Sequence, residues 1–304
     1  MKGVYERTMG LMEKYDLTKI VSVSNKLIYS EFYSRPELDL TLQQRKIIFY
    51  LISKINKDTK NFSNEEIDIS DYCELYNIKL QGKTDREWLE KSLLSLGGRV
   101  FFYEMPNGSK EMIRWVDRIN VDFQTGKITM RLSESLNAYL LQLKKEFTKF
   151  QLGYTAFFKS KYSYDLYLIC KQYSVSGLRK MFYISADDIK EKILHGEKSY
   201  ERFYDFNKYC LAVAVDEINR YTDITVSYEI HRKKKTATEV IFYVRNKRKS
   251  EMKEIDNWKT IQKMSRKKML SDKMNETFGN DVIYNDLCEA EEQEQMSMFS
   301  EDDI

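Results

Sequence analysis

Two stretches of this sequence carry side chains suited to an anionic, hydrogen-bonding polymer. The first is Tyr200, Arg202, Tyr204, Asp205, Asn207 and Lys208, polar and aromatic residues at the start of an apolar helical repeat. Arg and Lys can bond guanine O6 and N7, Asn can read adenine N6 and N7, and amides at a helix start attract phosphate. The second is Arg232-Lys233-Lys234-Lys235, four consecutive cations between two alternating runs. Such a turn neutralises phosphates and releases counterions without base preference. Lys159, Lys161 and Tyr162, just ahead of another helical run, offer further phosphate-bonding groups. The plainer alternatives are a solvated helix start and a charged turn that protects a sheet edge.

Catalytic chemistry is nearly absent. The two histidines, His195 and His231, stand far apart, which excludes a paired-histidine metal site feeding a tyrosine nucleophile. No Gly-x-x-x-x-Gly-Lys-Ser/Thr loop is present to cradle nucleotide phosphates. The acidic pairs Asp187-Asp188 and Glu65-Glu66 fall near helix starts, where carboxylates favour the helix dipole. The expectation is a protein that is not an enzyme and needs no cofactor and no metal.

The elements that must position these residues are written twice. From Leu40, apolar residues Leu42, Ile47, Ile48, Leu51, Ile52 and Ile55 recur with helical spacing, with Thr41 as N-cap. A strand at 67–69, a short helix opened by Ser70 and Asp71, and a longer helix over 84–96 follow. Thr84 with Glu87 three residues on reads as a capping box, and Trp88, Leu89, Leu93, Leu94 and Leu96 form its apolar stripe. Strands are expected at 100–105, 112–123 and 127–132, with the turn carrying Asn107, Ser109 and Lys110 as a wing. The same order returns after Ser163. A helix through Tyr173 leads to a strand at 181–184, a short helix capped by Ser185, and a long helix over 203–220. A hairpin of 224–230 and 239–244 closes around the basic turn. Residues 133–152, with Leu136, Tyr139, Leu140 and Leu143 at helical spacing, read as a linking helix.

Helix, strand, helix, helix, hairpin is the order of a winged helix, whose second paired helix enters the major groove while the wing grips the backbone. The fold expected is α+β, two tandem winged-helix domains with an acidic C-terminal tail. The divisions read as an arm over 1–20, a first domain over 21–135, a second over 136–250 and the tail over 251–304. In the first domain the equivalent helix offers the thinner set Lys83, Thr84, Arg86 and Lys91. That domain therefore reads as an auxiliary DNA contact or a dimerisation surface.

Charge supports the same division. Residues 251–304 carry seven basic and fourteen acidic side chains, so the first 250 residues hold a net charge of +10 out of an overall +3. A basic body with an acidic tail suits a polyanion binder with a protein-contacting end. No apolar run approaches the roughly 18–20 residues of a membrane span, and Met1-Lys2-Gly3 does not open a leader peptide. The scattered cysteines Cys73, Cys170, Cys210 and Cys288 read as small hydrophobes in a reducing cytoplasm.

The stretch "YERFYDFNKYCLAVAVDEINRYTDITVSYE" (Tyr200–Glu229) resembles the signature region of the initiator replication proteins of iteron-containing plasmids. "FKSKYSYDLYLICKQY" (Phe158–Tyr173) is similar to that family's Ser-x-x-Leu-Tyr helix, and "VSVSNKLIYS" (Val21–Ser30) to its opening segment. The resemblance covers residues 20–246. It implies two winged helices binding double-stranded DNA with direct repeats, the second supplying the main base contacts, here through Arg202, Asn207 and Lys208. It also implies a monomer that binds the repeats, a self-associated dimer that represses its own promoter, and host initiator and helicase-loading proteins as partners. Two departures are Cys210 in place of a usual valine and Ala212-Val213 in place of a common Lys-Pro, which removes one phosphate-contacting lysine. In the tail, Gln295, Met296, Ser297, Met298 and Phe299 resemble the pentapeptide by which bacterial proteins dock on the replicative sliding clamp. A winged-helix repressor without initiator activity, and a scaffold whose winged helices dock proteins, are the competing readings.

Overall fold

The computed structural model describes residues 19–252, apart from 29–31, 34–37, 57, 77, 105–106, 142, 144–146 and 175–179. Residues 1–18 of the expected arm over 1–20, nearly all of the tail, the clamp-like segment Gln295–Phe299 and Cys288 lie outside the described residues. The chain divides into two compact units, 1–247 and 248–304. The described part of the second is a single turn in which the Arg248 amide donates to Glu251 at 2.7 Å. Among the described residues no helix is long and apolar enough to cross a membrane.

The first winged helix begins with α2 (Leu42–Ile52), after β1 (Ile20–Ser24), α1 (Asn25–Ile28) and β2 (Phe32–Tyr33). Thr41 caps α2 in a complete capping box with Gln44, a motif that satisfies two otherwise orphaned amides. The Gln44 amide also donates to Ser92 O at 3.0 Å and Ser95 Oγ at 2.8 Å, tying α2 to the end of α4 (Lys83–Leu94). Between them, β3 (Glu65–Asp68) leads into α3 (Ile69–Tyr76), whose Tyr72 and Tyr76 hydroxyls donate back to Gln43 O and Lys46 O on α2.

Helix α4 departs from expectation in two ways. It starts at Lys83 after Gly82 with no side-chain cap bond, so Thr84 sits inside the first turn; Asp85 instead accepts from the Gln81 amide at 2.7 Å. Leu89, Leu93 and Leu96 face the core at four- and three-residue spacing, which turns Trp88 and Leu94 about 100° away into solvent.

The wing of the first domain also lies elsewhere. The expected strand over 112–123 is broken at Trp115, whose ring packs on Phe101 with centroids 4.8 Å apart. On one side, β4 (Val100–Glu104) and β5 (Lys110–Arg114) form a sheet with β2. On the other, β6 (Val116–Asp122) and β7 (Lys127–Leu132) form a hairpin with β3 on the outer edge of β7. The hairpin β6–β7 occupies the wing position; the turn with Asn107, Ser109 and Lys110 belongs to an additional hairpin. Gly126, at φ +69°, and Asp122, whose carboxylate accepts from the Gln124 and Thr125 amides, shape the true wing turn.

Residues 133–152 do not form one linking helix. Helical turns occupy Glu134–Leu136 and α5 (Asn137–Leu140), then β8 (Phe147–Gln151) pairs antiparallel with β1 before α6 (Leu152–Ala156). Thr148 and Phe150 alternate inward in β8, a period-two pattern that overrides the helical spacing upstream. Phe150 meets Phe49 of α2 edge-on at 5.6 Å and Tyr167 of α7 (Lys161–Gln172) at 5.5 Å, while Phe49 stacks on Tyr164 at 5.2 Å. The two winged helices therefore share an aromatic core, each buried ring contributing about 1.5–3 kcal/mol.

The second winged helix repeats the plan. Helix α7 is capped by Ser160, β9 (Lys180–Ser185) follows, and Ser185 caps α8 (Ala186–Leu194) by accepting from the Asp188 amide at 3.0 Å. His195 closes α8 in the left-handed conformation. Next comes α9, helical over Phe203–Phe206, widened to a π turn over Asn207–Leu211, and helical again over Ala212–Tyr221. Strands β10 (Ile224–Lys233) and β11 (Thr236–Asn246) form the wing, with β9 on the outer edge of β11. That order, hairpin then returning strand, matches β6-β7-β3. Phe182 and Phe242 stack at 5.1 Å beneath this sheet.

Candidate nucleic-acid interface

Helix α9 is the second helix of its pair, so its outward face is the surface offered to a groove. Four residues of α-helix exceed one turn by about 40°, so positions four apart drift steadily round the axis. The π turn over Asn207–Leu211 takes an additional residue into one turn and cancels much of that drift. As a result Phe206, Cys210, Ala214 and Ile218 are all fully buried, while Tyr204, Lys208, Ala212 and Asp216 form one exposed column. Periodicity reasoning identified Tyr204 and Lys208; it missed Ala212 as part of the column because a π turn leaves no sequence pattern.

The other expected residues of this helix are placed differently from one another. Arg202 is exposed at the N-cap position, its Nε donating to Asp205 at 2.6 Å. That bond holds the guanidinium above its ordinary basicity and fixes its direction. Lys208 lies 4.9 Å from the centroid of the Tyr209 ring. Asn207 turns aside: its Oδ1 accepts from the Tyr228 hydroxyl of β10 at 2.7 Å. This bond braces α9 against the wing and occupies the oxygen that bidentate adenine recognition requires. Tyr200 is half-buried between Tyr162 and Tyr209, with ring centroids 6.2 and 6.3 Å away.

The wing tip is a two-residue turn, Lys234-Lys235, between the paired residues Lys233 and Thr236. Lys234 adopts φ +58°, a left-handed conformation that favours glycine, so this lysine is held at a strained position. Arg232, Lys233, Lys234 and Lys235 are all exposed, and none of them makes an ion pair among the described residues. Four uncompensated cations on a projecting hairpin are the chemistry of backbone neutralisation.

The start of α7 is held by a carboxylate that sequence reasoning did not single out. Glu217, buried on the inner side of α9, accepts from the Lys159 amide at 3.0 Å, the Ser160 amide at 3.3 Å and Ser163 Oγ at 2.6 Å. It satisfies orphan amides at a helix start and locks α7 to α9. Lys159 remains exposed.

Lys161 and Tyr162 depart from the phosphate role expected of them. Lys161 Nζ lies 3.5 Å from Asp39 and 3.3 Å from Glu197, and the Tyr162 hydroxyl donates to Glu197 at 3.1 Å. Both are engaged in a polar joint between the winged helices. At its centre Arg45 of α2 bonds Asp39 at 3.0 Å and, across the joint, Asp165 of α7 at 2.5 Å; His195 Nε2 lies 3.3 Å from Asp165. Burial opposes ionisation of Asp39, but Arg45, His195 and Lys161 outweigh it and hold its carboxyl below the usual range. Beside the joint a cleft of about 520 Å³ opens between the domains, with Arg99, Lys159, Tyr209 and Val213 among its walls.

In the first domain Lys83 pairs with Glu87 at 3.6 Å, and Arg86 sits 6.0 Å over the ring of Phe123 at the β6–β7 wing turn. Lys127 of that wing bonds Glu66 at 2.6 Å. Lys83 and Lys127 are thus matched by acids and Arg86 by a ring, whereas Lys91, Arg114 and Arg118 are exposed and make no ion pair among the described residues. Cys73 and Cys210 are buried, which pushes their thiols up to about 11 and about 12, leaving them protonated near neutrality.

The sequence matches the family described as Initiator Replication protein, WH1, over residues 20–171, and Initiator Rep protein, WH2, over residues 185–244. It is 24% identical over 217 residues to a protein of Escherichia coli named replication initiation protein, a match covering 67% of this chain and 63% of that one. The chain thus spans less than two thirds of the length of this curated relative. Among solved structures it resembles the Pi initiator protein, crystallised in complex with iteron DNA. The TM-score is 0.60 at 18% identity, covering 75% of this chain and 97% of the other, a likeness of fold. With both winged helices matched in order along the sequence, the chain belongs to the initiator replication protein family.

Proposed function

We propose that this chain is a plasmid replication initiator that binds directly repeated origin sites in duplex DNA. The observation that carries the reading is that α9 presents an exposed column and the hairpin that follows it ends in the uncompensated cations Arg232–Lys235, in a chain of this family. The column supplies base-edge contacts and the wing supplies backbone contacts. The first winged helix, whose wing turn Phe123–Gly126 carries no cation, contributes lighter DNA contact or self-association. The protein works without catalysis of its own, in the cytoplasm, by distorting A·T-rich DNA next to the repeats and recruiting host initiator and helicase-loading proteins. Gln295–Phe299 gives it a docking peptide for the replicative sliding clamp.

The test is selection of bound duplexes from a random pool, followed by titration of the recovered site across ionic strength. A recovered consensus, bound with a log–log salt slope of several units, is the expected result. Binding that is flat in salt favours a protein-docking scaffold instead. Supplying the protein in trans to an origin carrying repeats of the consensus separates an initiator, which sustains replication, from a repressor, which does not.

A further inference from the structure

The exposed column of α9 holds one residue with neither charge nor hydrogen-bonding side chain. Ala212 stands between Lys208 and Asp216, exposed, immediately after the π segment. Val213 is 41% exposed beside it and lines the interdomain cleft. A methyl side chain at the centre of a groove-facing column lets the helix backbone come close to the base edges. What it can then touch productively is apolar, and the major groove presents one apolar group, the C5-methyl of thymine. The polar neighbours flank this contact: Lys208 on one side, and Asp216, bonded to Arg220 at 3.2 Å, on the other.

We infer that Ala212, supported by Val213, reads the C5-methyl of a thymine in the bound site, which makes this position a specificity determinant. The inference rests on the proposed reading of α9 as the groove-entering helix. It assigns discrimination to apolar contact at a place where hydrogen-bond readout is unavailable. Because α9 without its π turn would rotate Ala212 round the axis relative to Tyr204, the wide turn is what brings the methyl into line.

The experiment uses the full chain and the duplex recovered by selection. Each thymine is replaced singly by deoxyuridine, which removes the methyl and leaves base pairing intact. Affinity is read by fluorescence anisotropy. Wild-type protein should lose about three- to tenfold at one or two positions. In Ala212→Gly the same replacements should cost nothing, while substitutions at other base pairs keep their effects. Thermal unfolding checks the variant, since glycine inside a helix costs about 1 kcal/mol; the deoxyuridine scan on wild-type protein needs no variant at all. Selective binding that is indifferent to every methyl, a selected site without thymine, or an Ala212→Gly protein as sensitive as wild type overturns this inference alone. Binding without any sequence preference overturns the underlying reading of α9 as well.

Discussion

The two winged helices share an order of elements and a sheet topology, yet they differ in the charge gathered at the wing tip. In the first, Lys83, Lys127 and Arg86 are matched by Glu87, Glu66 and the Phe123 ring. In the second, four cations crowd the tip of a hairpin whose strands run ten and eleven residues, against seven and six in the first. The second helices of the two pairs differ as well: α4 is regular, whereas α9 carries a π turn that straightens its outward column. The lesson is that the scaffold fixes where a helix and a wing point. Whether the pair contacts a polyanion depends on which charges are left uncompensated.

The comparison breaks first at the joint. Arg45 comes from the first domain, and Asp165 and His195 come from the second. Arg45→Met should cost about 3–5 kcal/mol, because it strands buried carboxylates. Chemical denaturation followed at separate probes in each domain should then show two transitions in place of one.

The wings give the next largest effect. Arg232→Ala, Lys233→Ala, Lys234→Gly and Lys235→Ala together should lower DNA affinity on the order of a hundredfold and reduce the log–log salt slope by about 3. Lys127→Ala in the first wing should move that slope by less than about 1. Equal effects from the two wings would mean that they contact DNA alike.

Glu217→Ala should cost about 2 kcal/mol in urea unfolding, since it leaves the Lys159 and Ser160 amides unsatisfied. Glu217→Gln, which keeps an acceptor oxygen, should recover part of the loss. In the first domain the tie between the equivalent helices comes from the other partner, Gln44 of α2, which donates to Ser92 and Ser95 at the end of α4.

The smallest effect is pH dependence at the joint. Burial opposes protonation of His195, but the adjacent Asp165 carboxylate, its hydrogen bond and Asp39 outweigh it and raise the imidazole above its ordinary value near 6.5. A raised pKa means stabilisation is complete below the unfolded value and is lost as pH climbs through the folded one. Unfolding free energy should therefore fall as pH rises from about 6 to 8, with a slope below one proton per molecule. His195→Asn, which tolerates the left-handed cap, should flatten that slope.

Much of this fold was legible in the residues. Thr41 and Ser185 cap the helices assigned to them, and the second domain's helices and hairpin follow their apolar periods closely. The misreadings share a physical cause, which is that tertiary contacts decide between competing local patterns. Leu136, Tyr139 and Leu140 begin a helix, but Thr148 and Phe150 gain more by pairing with β1 and burying against α2 and α7. Trp115 splits one apparent strand between two sheets, which moved the first wing. At the interface, residue type announced Lys161 and Asn207 as DNA-contacting groups. Their partners Asp39, Glu197 and Tyr228, distant in sequence, engage them within the protein. Glu217 gave no local signal because both amides it caps lie 57 and 58 residues away.

The pairing of β1 with β8 has a consequence for how the chain matures. Ile20–Ser24 is made well before its partner Phe147–Gln151, which appears only after the whole first wing has been made. Until then a strand with Val21 and Val23 on its inward face waits without its ladder, and loop closure over so long a span is slow. Nascent chains halted between Leu132 and Phe147 should be the species most prone to association and most in need of a chaperone. Release of a few dozen further residues closes that seam and, with it, the first domain.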